Sequence, residues 1–208
     1  MKPMNEEILP LQGLVLSGGE SRRMGHDKGL LTSAGECAWV NQAGLTLQQA
    51  GVPVHVMIQE KQRKNYEAVV LPEFSLRLDL PLPVGGPLKG LLSFHALFPM
   101  ADVLVLPCDM PAVTVELLQE LIRFYTDFPE FDAWIFEENK RSQPFPGIYS
   151  GRLLAQVQQQ LDGQLLPHHS LMYVLSIGKT ALKSAPVGQS AAFKNWNSPR
   201  DLETNQGV

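Results

Sequence analysis

The sequence has few cysteines and few charged residues, and each shortage excludes a class of protein. Its 208 residues contain two cysteines, Cys37 and Cys108, which stand far apart without a CxxC or histidine-spaced companion. This argues against a disulfide framework or a zinc site, and we expect two reduced, buried thiols. Charged residues make up 18% of the chain and the net charge is −4, so no overall positive field favours nucleic acid. We therefore expect no nucleic-acid partner.

Long apolar runs are also missing. No segment reaches the roughly eighteen apolar residues that a membrane span requires. The N-terminal stretch MKPMNEEILP is acidic and too polar for the hydrophobic part of a signal peptide. We therefore expect a cytoplasmic protein with no membrane partner.

The length and the apolar content fit one enzyme-sized domain. A hydrophobic fraction of 44% in 208 residues is enough for a full core. No repeat, low-complexity tract or linker divides the chain. We expect a single domain over residues 1–208, with flexible ends at about 1–10 and 204–208.

Strand and helix patterns alternate along the chain. Apolar runs predict strands at 14–16, 52–58, 76–80, 103–106, 131–136 and 144–149. Helical spacing predicts helices at 37–50, 61–70, 88–98, 114–125 and 153–161, and the core of another at 171–175. This alternation predicts the α/β class, as a Rossmann-like three-layer α/β/α sandwich around a mostly parallel sheet.

A glycine-rich loop with basic residues follows the first strand. After Leu16 and Ser17 come Gly18 and Gly19, where a backbone without side chains can approach a ligand closely. The basic residues that follow, Arg22, Arg23 and Lys28, could neutralise several phosphate charges. Neither the Walker A spacing nor G-x-G-x-x-G is present. The loop predicts a nucleotide substrate, and the alternative is a glycine turn followed by a solvated basic patch.

The complete pattern resembles a known family signature. Ser21, Arg23, Met24, Gly25, Asp27 and Lys28 stand where the signature of the molybdenum cofactor guanylyltransferase (MobA) family has them, and Ser17 replaces the family's usual alanine. Related cytidylyltransferases tend to have proline at the position of Asp27, so the aspartate favours guanylyl transfer. The resemblance implies the nucleotide-diphospho-sugar transferase type of fold.

Two aspartates follow predicted strands and should therefore lie on the same sheet edge as the loop. Asp109 belongs to Pro107-Cys108-Asp109-Met110-Pro111, which resembles the family's P-C-D-x-P segment, whose aspartate binds magnesium and nucleotide. Asp79 lies seven residues before Gly86-Pro87-Leu88-Lys89-Gly90-Leu91, which resembles the family's G-P-L-x-G-L segment, where the corresponding aspartate contacts the nucleotide. The alternative for Asp109 is a turn aspartate that hydrogen-bonds its own backbone, and the alternative for Asp79 is a strand-end aspartate that caps a loop.

Three amide side chains are further candidates. Gln59 ends the second strand where the family often has asparagine, and a solvated glutamine is the alternative. Asn195 and Asn197 belong to a segment, 193–202, that resembles the family's F-x-N-x-N-T-P-x-D-L, and they alternate so that both could face the site. Asn197 or Ser198 could instead begin a helix before Pro199.

The resemblance implies a guanylyltransferase that uses GTP, Mg²⁺ and Mo-molybdopterin and releases pyrophosphate. Other molybdenum cofactor proteins are further candidate partners. A related nucleotidyltransferase using CTP or another acceptor phosphate, and a non-catalytic nucleotide-binding protein, are the alternatives. The expected catalytic residues are Arg22, Arg23, Lys28 and Asp109, with Asp109 as metal ligand. The expected nucleotide-binding residues are Leu16, Ser17, Gly18, Gly19, Lys28, Gln59, Asp79 and Asp109, and pocket closure is expected from Asn195 and Asn197.

Overall fold

Seven strands and six α-helices alternate in the computed structural model, which describes residues 11–17, 27–32 and 37–196. The strands are β1 (Gln12–Leu16), β2 (Val54–Ile58), β3 (Ser75–Leu78), β4 (Val103–Pro107), β5 (Ala133–Glu138), β6 (Arg141–Tyr149) and β7 (Thr180–Ser184). The α-helices are α1 (Trp39–Gln49), α2 (Arg63–Glu67), α3 (Pro87–Leu97), α4 (Val115–Asp127), α5 (Gly151–Asp162) and α6 (Leu171–Ile177). Short 3-10 helices cover Lys28–Leu30, Glu60–Gln62 and Ser190–Phe193.

The strands form one sheet in the order β3-β2-β1-β4-β6-β5-β7. All neighbouring pairs are parallel except those of β6, which runs antiparallel to both β4 and β5. The predicted mostly parallel α/β sheet is therefore confirmed. Because the strands other than β6 point the same way, we call the edge where they end the carboxyl edge and the opposite one the amino edge.

Alternating side chains divide the core between the two faces of the sheet. Along β4, Leu104 and Leu106 pack on one face with α1 and α4, whereas Val103 and Val105 pack on the other with α3, α5 and α6. This period of two is what a sheet covered on both faces requires. Hydroxyl caps fix two of the covering helices, since Thr114 accepts the Leu117 N–H of α4 and Ser150 accepts the Leu153 N–H of α5.

Several boundaries differ from the sequence prediction. The helix expected at 61–70 is the short α2, preceded by the 3-10 turn Glu60–Gln62, and the strand expected to include Asp79 ends at Leu78. Strand β7 was not predicted, because an edge strand with few apolar side chains depends on pairing with β5 rather than on its own pattern. Cys108 is buried as expected, but Cys37 is exposed because it lies just before α1 at the surface. Within the described residues, no helix is long and apolar enough to span a bilayer.

Candidate active site

Three strand ends bring the predicted site residues together at the carboxyl edge. The Ser17 N–H donates to the Met57 carbonyl at 3.2 Å, which joins the end of β1 to β2. The Cys108 N–H donates to the Leu16 carbonyl at 3.1 Å, which joins the segment after β4 to the end of β1. Parallel pairing therefore places Asp109 close to the end of β1, at the same sheet edge, as the sequence predicts.

A cavity of about 250 Å³ opens at this edge. Most of its polar lining comes from residues just after strands, whereas its apolar lining comes from β1, β2, β4, β6 and the start of α3. Its lining residues are Leu16, Ser17, Asp27, Lys28, Met57, Asp79, Gly86, Pro87, Gly90, Pro107, Cys108, Asp109, Phe145 and Asn195.

Lys28 and Asp109 form an ion pair in the cavity. The Lys28 ammonium group donates to Asp109 Oδ2 at 3.1 Å, and the two side chains are 24% and 17% exposed. Both groups are thus partly desolvated but still accessible from the cavity, where a charge interaction is stronger than on the open surface. A cation beside a carboxylate suits a ligand that carries phosphates and a metal ion.

Asn195 reaches the same cavity from the far end of the chain. The Trp196 N–H donates to the carbonyl of Asp109 at 2.7 Å, which fastens the segment after the 3-10 helix Ser190–Phe193 to the aspartate loop. Asn195 lines the cavity next to this bond. Its placement fits the predicted pocket closure.

Asp79 brings a partly buried carboxyl group to the lining of the cavity. Its Oδ1 is buried and has no hydrogen-bond partner among the residues that the structure describes. Burial raises the pKa of Asp79 to about 6, although the nearby Lys89 ammonium group acts in the opposite direction. A buried carboxylate oxygen without a donor is costly to retain, and it is therefore available to a ligand.

Gly90 makes room for this arrangement. A Cβ on Gly90 would lie 2.6 Å from a methyl group of Leu16 and 3.7 Å from Asp79 Oδ1. Any side chain there would push into the floor of the cavity. The second glycine of the G-P-L-x-G-L segment therefore allows α3 to pack closely against β1 without displacing the Leu16 side chain.

A polar cluster behind Lys28 was missed by the sequence analysis. The Asp27 carboxylate accepts hydrogen bonds from the Tyr66 hydroxyl at 2.6 Å, from the Gly29 N–H at 3.2 Å and from the Gln62 side-chain amide. Ser17 joins the cluster, because its Oγ lies 2.9 Å from the Tyr66 oxygen and its carbonyl accepts from Gln62 Nε2 at 3.2 Å. Neither Tyr66 nor Gln62 lies in a motif, so no local signal could have identified them.

Phe145 also belongs to the site and was missed by the sequence analysis. Strand β6 carries extra residues opposite the step from Ile135 to Phe136, whose partners are Gly147 and Gln143. The resulting bulge places Phe145 in the lining of the cavity. The Tyr149 hydroxyl donates to the Pro144 carbonyl at 2.8 Å and holds the bulge. Two prolines flanking one aromatic residue were the available signal.

One predicted residue, Gln59, does not line the cavity, and five others lie outside the described residues. Gln59 lies at the start of the 3-10 helix Glu60–Gln62, where its N–H donates to Gln62 Oε1 at 2.7 Å, and it is not among the described residues that line the cavity. The remaining predicted site residues lie outside the described part of the chain: Gly18, Gly19, Arg22, Arg23 and Asn197.

The donor atoms at the cavity fit magnesium better than a softer metal. No group of three or more His, Cys, Asp or Glu side chains is arranged to hold a metal ion within residues 11–17, 27–32 and 37–196. Magnesium does not require such a cage, because it is bound by one or two carboxylates together with substrate phosphates and water. Asp109 can supply that carboxylate, and the cavity leaves room for the other ligands.

Comparison with known proteins places these features in a family. The family model described as the MobA-like NTP transferase domain matches residues 13–175. A protein of Nostoc sp. named as a probable molybdenum cofactor guanylyltransferase is 31% identical over 205 residues, which is 95% of this chain and 91% of that protein. A protein of the same name from Pelotomaculum thermopropionicum is 28% identical and covers 94% of this chain and 91% of its own length.

Solved structures agree on the architecture. Molybdopterin-guanine dinucleotide biosynthesis protein A from Archaeoglobus fulgidus superposes with a TM-score of 0.73 at 19% identity, over 93% of this chain and 96% of that one. A 4-diphosphocytidyl-2C-methyl-D-erythritol synthase from Anaerococcus prevotii gives a TM-score of 0.68 at 10% identity, over 93% of each chain. At these identities the likeness establishes the fold alone, and the predicted type of fold is confirmed. The chain belongs to the MobA-like NTP transferase family.

Proposed function

We propose that this protein transfers GMP from GTP to Mo-molybdopterin and releases pyrophosphate. The observation that carries the proposal is the Lys28–Asp109 pair, 3.1 Å apart, in a cavity that also contains Asp79. These residues suit the three parts of a nucleoside triphosphate complex. Lys28 can neutralise phosphate charge, Asp109 can bind the metal ion, and Asp79 can accept hydrogen bonds from the base. The names of the relatives, molybdenum cofactor guanylyltransferase and molybdopterin-guanine dinucleotide biosynthesis protein A, support guanine as the base and molybdopterin as the acceptor.

The reaction is a displacement at the α-phosphorus. A terminal phosphate oxygen of the acceptor forms the new bond, the bond from the α-phosphorus to the bridging oxygen breaks, and pyrophosphate leaves with the electron pair. Because the attacking oxygen is already anionic, no general base is needed, and the protein mainly positions the reactants and neutralises charge. Lys28 is the described residue that supplies positive charge, and we expect Arg22 and Arg23 to add to it.

Asp109 is the residue that would hold Mg²⁺. When bound, the ion would supply Lewis-acid stabilisation of the phosphate oxygens. Lys28 then has two functions, because its ammonium group both orients the Asp109 carboxylate and faces the phosphates. Substituting either side chain should therefore affect turnover more than folding.

Asp79 suits a guanine base. Guanine presents an N1–H and an exocyclic amino group side by side, and a carboxylate can accept from both. Burial deprives Asp79 Oδ1 of water and of a protein donor among the described residues, so a base that supplies donors would remove this cost. Cytosine has an acceptor nitrogen where guanine has its N1–H and cannot make the same pair.

A panel of nucleoside triphosphates with Mg²⁺ tests base choice. Ligands that bind only the native state raise its melting temperature, and we expect GTP to raise it most. The Asp79→Asn variant should lose the preference for GTP while retaining a response to triphosphate. Pyrophosphate release with Mo-molybdopterin then tests the acceptor. A preference for CTP, or no release with Mo-molybdopterin, would contradict the assigned substrates.

A further inference from the structure

A buried hydrogen-bond cluster lies behind the Lys28–Asp109 pair, and no step of the proposed reaction uses it. We call Ser17, Asp27, Gln62 and Tyr66 the Asp27 cluster. Ser17, Gln62 and Tyr66 are buried, Tyr66 completely, although they carry polar groups. The cluster joins the end of β1, the start of the 3-10 helix Lys28–Leu30 and helix α2. Polar groups in such a position remain only when they are mutually satisfied.

Only one assignment of donors and acceptors fits the hydrogen bonds around the Tyr66 hydroxyl and the Asp27 carboxylate. The Tyr66 hydroxyl has a single hydrogen, which it donates to Asp27 Oδ1 at 2.6 Å, since a carboxylate is the strongest acceptor nearby. The Tyr66 oxygen then accepts from Ser17 Oγ at 2.9 Å. Gln62 donates to Asp27 Oδ2 from the other side. The Asp27 carboxylate is therefore the common end point of the cluster.

Asp27 is directly connected to Lys28. It caps the 3-10 helix that begins at Lys28, and its Oδ1 accepts the Gly29 N–H at 3.2 Å. From that fixed backbone the Lys28 side chain extends to Asp109, 3.1 Å away. A displacement of Asp27 must therefore move the origin of the Lys28 side chain relative to Asp109.

The packing at Gly29 shows how closely the cluster contacts this turn. A Cβ on Gly29 would lie 2.2 Å from the Tyr66 hydroxyl oxygen and 2.3 Å from Ser17 Oγ. The side chains of Tyr66 and Ser17 thus occupy the space where a side chain at position 29 would stand. The turn carrying Lys28 has little freedom to shift while Tyr66 and Ser17 stay in place.

We infer that Asp27, held by Tyr66 and Gln62, is a positioning residue that directs the Lys28 ammonium group towards the triphosphate and Asp109. The inference rests on the proposed function, because that function supplies the triphosphate. Tyr66 and Gln62 act through Asp27 and touch no substrate. Ser17, which replaces the family's usual alanine, adds a hydroxyl donor to the same network.

The chain provides a matched control at the amino edge. The Tyr125 hydroxyl donates to Asp102 Oδ2 at 2.9 Å, which is the same chemical pair as Tyr66 and Asp27. Asp102 directly precedes β4, whereas Asp109 follows it, so the control pair lies at the opposite end of the same strand. Tyr125→Phe therefore removes an equivalent hydrogen bond without affecting Lys28.

The experiment compares Tyr66→Phe, Gln62→Glu and Tyr125→Phe with the unmodified protein. Each is measured for melting temperature, for affinity towards inorganic tripolyphosphate with Mg²⁺, and for kcat and KM of pyrophosphate release. Tyr66→Phe should lower both kcat and tripolyphosphate affinity by about tenfold, the effect of losing one hydrogen bond to a charged group. Gln62→Glu keeps the size of the side chain but places a second carboxylate against Asp27, so a larger loss is expected.

Tyr125→Phe should lower the melting temperature yet leave kcat and tripolyphosphate affinity within about twofold. If Tyr66→Phe behaves in the same way as Tyr125→Phe, the cluster is structural only and the positioning role is wrong. If the unmodified protein binds no tripolyphosphate with Mg²⁺, the proposed function fails and the inference falls with it. A loss confined to the Asp27 cluster variants, measured well below their melting temperatures, supports the inference.

Discussion

Carboxylates at the two edges of the sheet have opposite hydrogen-bond environments. At the amino edge, Asp102 accepts from Tyr125 and from the Gly151 N–H, both at 2.9 Å. Asp132 accepts from Arg152 Nε at 2.7 Å and from the Lys179 N–H at 2.8 Å. Each of these aspartates has both oxygens bound by protein donors. Their role is to join loops and helix starts, and no ligand is needed to satisfy them.

At the carboxyl edge the partners are incomplete. Asp79 Oδ1 is buried without a donor among the described residues, and Asp109 pairs with a lysine that is itself accessible from the cavity. Asp27 shares a feature with each group. Both of its carboxylate oxygens accept hydrogen bonds from the protein, like those of Asp102 and Asp132, but the residue lines the cavity. From this comparison we predict that carboxylates with unmet hydrogen-bonding capacity bind the ligand, whereas those with both oxygens bound by protein donors have positioning or structural roles.

The largest expected effect is at Asp109. Asp109→Asn keeps the size of the side chain but removes the charge that pairs with Lys28 and that we assign to Mg²⁺. We expect pyrophosphate release to fall by about a hundredfold or more, as for other losses of transition-state charge stabilisation. Steady-state kinetics at saturating GTP would measure this loss. Unchanged turnover would exclude Asp109 from the reaction.

Asp102→Asn is expected to have the opposite consequences. It removes a charged acceptor from Tyr125 and from the Gly151 N–H, and we expect the free energy of unfolding to fall by about 1–3 kcal/mol. Turnover of the folded protein should stay close to normal, because Asp102 is at the amino edge. Urea unfolding followed by kinetics well below the midpoint separates the two quantities. A loss of turnover without a loss of stability would remove the distinction between the edges.

Asp79→Asn should stabilise the ligand-free protein at neutral pH. The folded-state pKa of Asp79 is raised from 3.8 to about 6, so the folded state binds more protons than the unfolded chain between these values. Stability from this group is therefore present at low pH and decreases as pH rises through 6. An asparagine avoids the buried charge, so its melting temperature at pH 7 should exceed that of the unmodified protein.

The same substitution should weaken GTP binding. In the unmodified protein, affinity should decrease as pH falls below about 6, because a protonated Asp79 accepts poorly from guanine. The asparagine variant should lose this pH dependence. Calorimetry with GTP and Mg²⁺ between pH 5 and pH 8 would measure both effects. If Asp79→Asn is less stable at pH 7, Asp79 is structural, like Asp102.

The smallest expected effect concerns two buried histidines outside the cavity lining. Burial lowers the pKa of His55 and of His95 from 6.5, so each takes up its proton at a lower pH in the folded protein than in the unfolded chain. Their contribution to stability is complete above pH 6.5 and is lost as pH falls below it. Melting curves from pH 7.5 to pH 5.5 should show less acid sensitivity in His95→Gln than in the unmodified protein. Equal sensitivity would exclude His95 as a source.

Much of the fold could be predicted because it depends on short-range pattern. The buried strands at β1, β2 and β4 have apolar runs, and Gly51 marks the end of the helix before β2. Strand β7 and the bulge of β6 could not be predicted. The edge strand depends on pairing with β5, and the bulge depends on the Tyr149–Pro144 hydrogen bond across the turn.

Some residues of the candidate site could likewise be predicted from the sequence, and others could not. Asp79 and Asp109 could be named because the ends of parallel strands meet at one edge and because both lie in or near segments that resemble the family's. Lys28 could be named from the motif of the glycine-rich loop. Tyr66 and Gln62 could not be named, since they are separated from Asp27 by 39 and 35 positions and lie in a polar stretch without a motif. Gln59 shows the converse, because it was singled out from its strand-end position but lies outside the lining of the cavity.

The sequence by itself therefore determined the strand–helix alternation, the family and the carboxylates and lysine that reach the carboxyl edge. These follow from local periodicity and from motifs of a few residues. Only the tertiary structure decided which aspartates have both carboxylate oxygens bound by protein donors and which keep an oxygen available to a ligand. The reason is that a carboxylate's environment depends on donors brought from distant parts of the chain, such as Lys28 to Asp109 across 81 positions, and on the burial that removes water from Asp79.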